Sequence, residues 1–492
     1  MENPQLSLIL KTAPHYEKSL PLPYELLMKI FHYLVELSDH PIRDLCNISR
    51  VCETWRQLIL NSPSLWSRLN FNDVPMTDKN LQVLNEIIDN KPAILLHINE
   101  ISIRGKVKAK SASSGSFLEH LITAPNLKEL QIEEFDPQGK KCFQLSRAIG
   151  QCRNLRKLSI KGTRIMGQQK WLADHLLDNG KHLEELHLTS SMTAVSSNLF
   201  RAIASDYCPL LRVLDISTCD FVNTRSFDAI QLAQNMPNLE ILRVANVSFK
   251  RVYLAPESPG LKKLEELSMP IGMRDAERDD ALLATLTYGS DRISTLDLRG
   301  ASITANALEN MPSYNLRELH IDDICPITRR FYHKFINKWR HSLEVVSLVK
   351  INCSETIRSC LFSLIYDNDQ DYENDGKYRQ RPPIKIREID LESSDVEAHD
   401  LKRFMTKAVT LERINLASCR SLPRGCKGRY ARIPTSNESK FNDLRSRLSS
   451  FHDDSETEID EENQLNYNAG VNIRPKKKLR TQTRHPDYVY DF

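Results

Sequence analysis

A short phrase, apolar-x-x-apolar-x-apolar, recurs through this sequence and limits what the chain can fold into more than any other feature. Its first five copies carry leading leucines exactly one period of 28 residues apart: Leu127, Leu155, Leu183, Leu211 and Leu239. Six looser copies start at Lys263, Arg292, Asn315, Ser342, Lys385 and Thr410. Self-similarity at a period of about 20–50 residues is typical of repeat architectures. The sequence therefore predicts eleven repeating units.

Each copy of the phrase predicts one short β-strand. Leu158 and Ile160 alternate with the polar Ser159, which is the period-two pattern of a half-buried strand. Segments between copies, such as 196–209 and 224–237, place apolar residues at helical spacing and end in Pro209 and Pro237, where a helix stops. One strand plus one helix makes a unit.

Such a unit is too small to bury its own apolar faces, so successive units must stack side by side. The phrase is the leucine-rich-repeat pattern, and Cys219 and Cys419 stand where its cysteine-containing subclass has a buried cysteine. We expect an α/β fold in which a helical N-terminal unit precedes a curved leucine-rich-repeat solenoid, with parallel strands on the concave face and helices outside.

Polar strand positions that alternate with the leucines are expected to face the concave side of the solenoid. Their signs are mixed, which suits a protein partner better than a nucleic-acid backbone. An idle, solvated face is the alternative. The candidates for substrate binding are Gln131, Ser159, Lys161, His187, Asp215, Arg243, Asp297, Arg299, His320, Asp322, Asp390 and Asn415.

Three helices are predicted ahead of the repeats. Residues 20–37 are predicted to place five apolar side chains on one side of a helix: Leu26, Leu27, Ile30, Phe31 and Leu34. Two shorter helical patterns follow. Such a small helical unit cannot bury so much apolar surface internally, which indicates docking onto another protein.

One set of residues occurs in a recognisable order: Leu22-Pro23, Glu25-Leu26-Leu27, Ile30-Phe31, Leu34, Arg50-Val51-Cys52, Trp55 and Leu65-Trp66. This order resembles the F-box, a helical module that docks on the Skp adaptor of cullin-based ubiquitin ligases. A longer, polar connection between the first two helices departs from that pattern. The resemblance implies adaptor binding by Leu22, Pro23, Glu25, Leu26, Leu27, Ile30, Phe31, Leu34, Val51, Cys52, Trp55, Leu65 and Trp66. Core packing is the alternative role of the two tryptophans.

The expected organisation is an extension at 1–19, the F-box at 20–72, a linker with a degenerate repeat at 73–125, repeats at 126–425 with an acidic insert at 366–383, and a charged disordered tail at 426–492. Residues 103–116 are predicted to be a surface loop. The tail's basic block is a candidate nuclear-import signal or a contact for an acidic surface, with a solubilising tail as the alternative: Arg474, Lys476, Lys477, Lys478 and Arg480.

Composition narrows the function classes. A net charge of +3 on 492 residues gives no broad field for nucleic acid. Eleven cysteines without a CxxC pair, no leader-like start and no long apolar run predict a reduced, intracellular, soluble protein of the nucleus or cytoplasm, without a membrane partner.

No catalytic spacing, metal cluster or phosphate loop is evident, so we expect no cofactor and no metal. His182 and His187 are poorly spaced for a shared metal ion. A thiol ligase is the enzymatic alternative, with a thioester on one of Cys142, Cys152, Cys353 and Cys360.

The resemblance implies the substrate-recognition subunit of a Skp–cullin–F-box ubiquitin ligase, with the repeats holding a protein for ubiquitination and degradation. The subunit itself would contribute proximity and no reacting group. The alternative is a binding scaffold that acts without ubiquitin transfer.

Overall fold

A computed structural model describes residues 22–72, 77–105, 112–134, 147–162, 170–189, 202–203, 208–218, 228–247, 249, 259–269, 275–322, 336, 338–365, 384–432 and 438–450. The acidic insert, Cys219 and the basic block at 474–480 lie outside these residues, as does most of the predicted helix at 196–209.

The strands of the described residues form one sheet of fourteen, in the order in which they occur along the chain. All neighbours are parallel except the last pair, which is antiparallel. The strands are β1 Arg68–Asn70, β2 Glu100–Arg104, β3 Glu129–Glu133, β4 Lys157–Lys161, β5 Glu185–His187, β6 Val213–Asp215, β7 Ile241–Arg243, β8 Glu266–Ser268, β9 Thr295–Asp297, β10 Glu318–His320, β11 Val345–Ser347, β12 Glu388–Asp390, β13 Arg413–Asn415 and β14 Arg429–Ala431.

The helices of the described residues precede the sheet or lie between its strands. They are α1 Tyr24–Leu37, α2 Pro41–Ser49, α3 Glu53–Leu60, α4 Asp78–Asn90, α5 Ala93–His97, α6 Ala112–Ile122, α7 Lys170–Asn179, α8 Ala229–Asn235, α9 Ala276–Thr287, α10 Ala305–Glu309, α11 Ser354–Ile365, α12 Ala398–Lys407 and α13 Glu438–Ser449. Short 3₁₀ turns cover Pro63–Trp66, Gly180–His182 and Arg424–Cys426.

The leucine-rich-repeat solenoid is confirmed, and all eleven predicted strands form as β3 to β13. The middle leucine of each phrase pairs in register with its counterpart on the next strand, as Leu130 does with Leu158 and Leu158 with Leu186. These side chains are almost fully buried and form one continuous apolar core with the helices. Stacking therefore supplies the core that no single unit has.

Local signals set the helix ends. The side chains of Thr77, Asp228 and Asp275 accept hydrogen bonds from the first turns of α4, α8 and α9, which satisfies main-chain N–H groups that have no partner inside the helix. The helix predicted at 224–237 is shorter, at Ala229–Asn235, and Pro237 follows it as expected.

A residue with left-handed backbone recurs just after the strands. Glycine occupies this position at Gly105, Gly162 and Gly300, where positive φ carries no steric penalty. The same turn is made by residues that have a side chain: Glu134, Thr218, Asn246, Lys350, Ser393 and Ser418. The turn is thus imposed by the repeat geometry and not by glycine alone.

The solenoid begins earlier than the eleven phrases indicate. Strand β1 lies within the predicted F-box range and β2 within the predicted linker, and both pair in parallel with the strands that follow. The surface loop predicted at 103–116 is wrong at both ends, because residues 103–104 belong to β2 and residues 112–116 to α6. The helical module is therefore continuous with the sheet.

The solenoid also ends later than predicted. Residues 429–431 form β14, which pairs with β13, and α13 packs on α12 with Phe441, Leu444 and Leu448 buried. The tail predicted from residue 426 is therefore wrong as far as residue 450. The physical reason is that β14 and α13 cover the last strand and helix, which no further repeat would otherwise bury.

Candidate functional site

Two neighbouring faces of α1, about 100° apart, carry apolar side chains, and the described part of the chain covers only one of them. Leu27, Phe31 and Val35 are buried against the rest of the helical module. The other face exposes a line of apolar side chains, which we call the docking stripe: Leu22, Leu26, Ile30, Leu34 and Leu37, between 42% and 82% exposed. A helix that is apolar on both sides is normally buried on both sides.

A groove of about 420 Å³ continues the docking stripe at the end of α1. Ile30, Tyr33, Leu34 and Leu37 line its apolar part. The polar connection between α1 and α2 closes the other side, where the Ser38 hydroxyl donates to Asp44 at 2.5 Å and accepts from the His40 amide at 2.8 Å.

The residues predicted to bind the adaptor separate into two groups. Leu22, Pro23, Glu25, Leu26, Ile30, Leu34 and Val51 are exposed. The prediction of a surface role is corrected for Leu27, Phe31, Cys52, Leu65 and Trp66, which are buried. They face the inside of a small three-helix module whose core needs every large apolar side chain available.

The two tryptophans differ. Trp66 is fully buried and its indole N–H donates to the Ile59 carbonyl at 3.2 Å, so it is a core residue. Trp55 is half-buried and meets Phe31 edge-on, with ring centroids 5.1 Å apart. Trp55 therefore both packs and reaches the surface.

The concave face carries a third row of outward positions that the sequence reasoning missed. It lies two residues before the central row and includes Glu100, Glu129, Lys157, Glu185, Val213, Ile241, Glu266, Thr295, Glu318, Val345, Glu388 and Arg413. The period-two alternation, extended one step towards the start of each strand, would have found it.

Several predicted concave residues are less accessible than expected. Gln131, Lys161, His187, Arg243, His320, Asp322, Asp390 and Asn415 are half-buried and Arg299 is exposed, whereas Ser159, Asp215 and Asp297 are buried. The cause for Asp297 is a long neighbour, because the Arg299 guanidinium donates to both of its carboxylate oxygens at 2.8 Å. Short side chains on this face lie beneath long ones.

Asp215 is the most strongly perturbed carboxylate of the concave face. Burial raises its pKa, but hydrogen bonds from His187, Ser217 and Thr189 outweigh burial and hold the pKa at about 2. The Ser217 amide donates to it at 3.1 Å, and Arg243 lies 3.7 Å away. Asp215 is therefore ionised at neutral pH and fixed in place.

Many concave charges neutralise each other between adjacent strands. Lys157 pairs with Glu185 at 2.9 Å, and Arg243 pairs with Glu266 at 2.5 Å. Each of these charges already has a counter-ion on the same surface, so it attracts a partner only weakly. The pattern of charges would instead determine how a partner is aligned on the face.

The buried thiols argue against a thioester. Burial raises the pKa of Cys152 to about 12, and the pKa of the fully buried Cys360 lies well above its ordinary value for the same reason. A protonated, inaccessible thiol is a poor nucleophile. Cys419 is buried and donates to the Leu391 carbonyl at 3.0 Å, as expected for a structural cysteine. Cys353 is exposed, and Cys142 lies outside the described residues.

One trio of metal-ligating side chains comes together outside the concave face, at Glu397, His399 and Asp400. Arg358 already donates to Asp400 at 3.0 Å and to Glu397 at 2.9 Å. Since a guanidinium supplies the positive charge there, the trio joins α11 to α12 as an ion-pair network. His182 and His187 are not part of it: His182 ends a 3₁₀ turn, and His187 lies on β5 beside Glu185.

Residues 20–72 match the family described as F-box-like. The chain thus joins an F-box-like domain to a leucine-rich-repeat solenoid. No curated protein matches the sequence significantly.

Among solved structures, an internalin of Listeria monocytogenes is 13% identical, covers 81% of this chain and 93% of its own, and has a TM-score of 0.38. A chain of a Rad7 and Elc1 complex in yeast is also 13% identical, with coverages of 81% and 90% and a TM-score of 0.43. A leucine-rich-repeat protein of Leptospira interrogans is 14% identical, with coverages of 72% and 97% and a TM-score of 0.37.

Within the described residues, no helix combines the length and the apolar character that a bilayer crossing requires.

Proposed function

We propose that this chain is the substrate-recognition subunit of a Skp–cullin–F-box ubiquitin ligase. The F-box-like domain docks on the Skp adaptor, which joins it to the cullin, and the solenoid holds a protein substrate for ubiquitination and proteasomal degradation. The chain contributes no reacting group and needs no cofactor, because its effect is to raise the local concentration of a substrate lysine beside the charged conjugating enzyme.

The docking stripe is the observation that carries this proposal. Exposed leucine and isoleucine side chains are unfavourable in water. Covering them with a partner would stabilise the complex by roughly 25 cal/mol for each Å² of apolar surface removed from water. Leu26, Ile30 and Leu34 recur every four residues, so they form one straight ridge with the groove at its end. A ridge of this kind fits a hydrophobic slot between helices of a partner.

The concave face supports the second half of the proposal. It carries half-buried charges that ion pairs between neighbouring strands hold in position. A patterned, preorganised polar surface favours one protein over others by the register of its charges. The substrate residues we propose are therefore the exposed and half-buried ones, with Asp215, Asp297 and Ser159 positioning their neighbours.

The test is binding of a purified Skp-type adaptor to the full chain. The double substitution Leu26→Asp and Ile30→Asp removes two central ridge side chains that the chain's own core does not use, and we expect affinity to fall at least 100-fold. The matched control is Leu177→Asp, an exposed leucine on α7 that is 39% accessible, which should bind normally. Unchanged affinity of the double variant would refute adaptor docking through the stripe.

The competing function is a scaffold that uses the solenoid without ubiquitin transfer. The concave face supports the scaffold as well as it supports the ligase subunit, because a scaffold needs only the repeats. If the purified adaptor does not bind the unsubstituted chain, while a solenoid partner is still retained, the scaffold is the better description.

Two finer assignments belong to the same proposal. The strings at 296–300, 338–344 and 415–425 resemble F-box and leucine-rich repeat protein 6, and we propose that the chain is a counterpart of that protein. We also propose that the protein works in the nucleus or the cytoplasm, with the basic block of residues 474–480 as a candidate import signal. Relocalisation of a tagged chain after neutralising that block would test the second assignment.

A further inference from the structure

The concave face over β10, β11 and β12 carries carboxylates without lysine or arginine among its outward positions. The outward side chains of β10 and β12, together with the residues that follow them in register, are Glu318, His320, Asp322, Glu388, Asp390 and Glu392. We call this surface the acidic groove. Within the described residues, Glu388 pairs with Arg413 and Glu392 with Arg429, but Glu318, Asp322 and Asp390 make no ion pair.

An apolar floor separates the two acidic strands. Strand β11 places Val345 and Ser347 between them, and Val349 follows. Because neighbouring strands lie about 4.8 Å apart, the two rows of carboxylates are separated by about 10 Å. That spacing suits one extended or helical segment lying over the valines with cations on both sides.

Like charges on neighbouring strands repel one another, so this surface attracts a cationic segment. Asp322 is held in place within the groove, because the Ser347 hydroxyl donates to it at 2.6 Å and the Val349 amide at 2.8 Å. A bound cationic segment would relieve this repulsion. Elsewhere on the concave face, ion pairs join neighbouring strands, as between Lys157 and Glu185 and between Arg243 and Glu266.

The chain itself contains a complementary segment. Residues 474–480, RPKKKLR, hold five cations in seven residues, together with Leu479. The described chain ends at residue 450, after α13, which packs at the same end of the sheet as β12 to β14.

The segment can reach the acidic groove. Strand β10 is four strands from β14, so the groove lies about 20 Å along the sheet and one layer of about 10 Å away from α13. The residues between 450 and 474 span up to about 80 Å when extended. A tether of this length gives an effective concentration in the millimolar range.

We propose that residues 474–480 occupy the acidic groove of the same chain. The lysines lie opposite Glu318 and Asp390, and Leu479 covers the valine floor. Any other ligand of this region must then displace the segment. The inference stands independently of adaptor docking, since it concerns only the repeats and the tail.

The first test is zero-length carbodiimide cross-linking of the full chain, which joins a lysine to a carboxylate that it contacts. Peptide mapping should link Lys476, Lys477 or Lys478 to Glu318 or Asp390. Links to the acidic block at 453–462 instead, or only links between two molecules, would overturn the proposal.

The second test is binding of a labelled peptide that spans residues 470–484. We expect the full chain carrying Lys476→Gln, Lys477→Gln and Lys478→Gln to bind this peptide about tenfold more tightly than the unsubstituted chain, because its groove is vacant. Adding Glu318→Gln and Asp390→Asn should remove that gain, and binding should weaken as salt rises.

The matched control replaces two other carboxylates at the opposite end of the concave face, Glu129→Gln and Glu134→Gln, and should leave the gain intact. Equal binding by the tail-substituted and unsubstituted chains would overturn the proposal, and would leave the groove open to a basic segment of a partner protein. If Glu129→Gln and Glu134→Gln also abolished the tighter binding of the peptide, the proposal would be overturned as well, since the attraction would then not be specific to the acidic groove.

Discussion

The guanidinium of Arg68 in β1 donates a hydrogen bond of 2.8 Å to the main-chain carbonyl of Glu36, at the last turn of α1. It also reaches the Val35 and Ser38 carbonyls and pairs with Glu100 of β2 at 2.8 Å. A cation at a helix C-terminus satisfies carbonyls that have no partner inside the helix. One side chain of the sheet therefore holds the end of the helix that bears the docking stripe.

Arg68→Met keeps the aliphatic stem and removes these bonds, so we expect a loss of about 2 kcal/mol in the free energy of unfolding. Amide hydrogen exchange should also quicken in the last turn of α1. The control is Arg104→Met on β2, whose nearest carboxylate oxygen, on Glu133, is 3.8 Å away; its effect should be within about 0.5 kcal/mol. Equal effects of the two substitutions would contradict the role of Arg68.

The C-terminal cap gives a prediction about chain length. A chain ending at residue 450 keeps α13, whereas one ending at residue 432 loses α13 and uncovers α12. Burial of Phe441, Leu444 and Leu448 implies a loss on the order of 5 kcal/mol, measured by chemical denaturation. If the chain ending at residue 432 were as stable as the chain ending at residue 450, the helix would not be part of the fold.

Gly260 is fixed by a close approach of the main chain. Its φ is +60°, and a Cβ atom there would lie 1.8 Å from the Tyr288 carbonyl oxygen. Gly260→Ala should therefore cost about 3 kcal/mol or more. Gly289→Ala is the matched control, because Gly289 has a φ of +69° but meets only the Lys262 side chain at 3.6 Å; strain alone should cost about 1 kcal/mol. Denaturant midpoints of the two variants compare these costs.

The strands could be predicted from the sequence because the leucine pattern that reveals them is also what makes them fold. Leu130 and its counterparts must be buried, and a period of two allows only one face to be buried. The left-handed turns after the strands could not be found this way. At Thr218 and Lys350 the turn is adopted by residues that give no local indication of positive φ, because the stacked neighbours impose it.

The last helix was missed for a different reason. Phe441, Leu444 and Leu448 recur at helical spacing, but the surrounding charge made residues 426–492 resemble a disordered segment. The sequence could predict which residues belong to the docking motif, but not which of them are exposed. Family resemblance and periodicity place Leu26 and Phe31 in the same motif, yet only packing against the other helices determines that Leu26 is exposed and Phe31 buried.

The asparagine that opens several repeat phrases joins neighbouring units. Asn154 donates to the Pro125 carbonyl at 2.8 Å, and Asn126 and Asn238 make the equivalent bonds one unit back. Asn154→Ala should cost about 1 kcal/mol, since it leaves a main-chain carbonyl without its partner. Asn315→Ala is the matched control, because Asn315 also opens its phrase and is exposed like Asn154, but makes no such bond in the described structure; its thermal melting temperature should not change.

Acid should destabilise the centre of the solenoid through Asp215. Its pKa is about 2 in the folded chain and 3.8 as an ordinary carboxyl, so the folded state favours the ionised form. The stability that Asp215 contributes is therefore complete above about pH 4, falls as the pH drops towards 2, and amounts to about 2 kcal/mol. Asp215→Asn should lower the free energy of unfolding at pH 7. The difference in this free energy between the variant and the unsubstituted chain should then shrink as the pH falls from 4 to 2.

Other carboxylates also titrate in that range, so the difference between the two chains is the quantity to measure, by denaturant unfolding at matched ionic strength. Glu318→Gln is a suitable comparison, because that carboxylate makes no ion pair within the described residues and faces the acidic groove. Its substitution should not reduce stability at pH 7. A difference between the Asp215→Asn and unsubstituted chains that stayed constant from pH 7 to pH 2 would show that the hydrogen bonds, and not the ionised state, hold Asp215 in place.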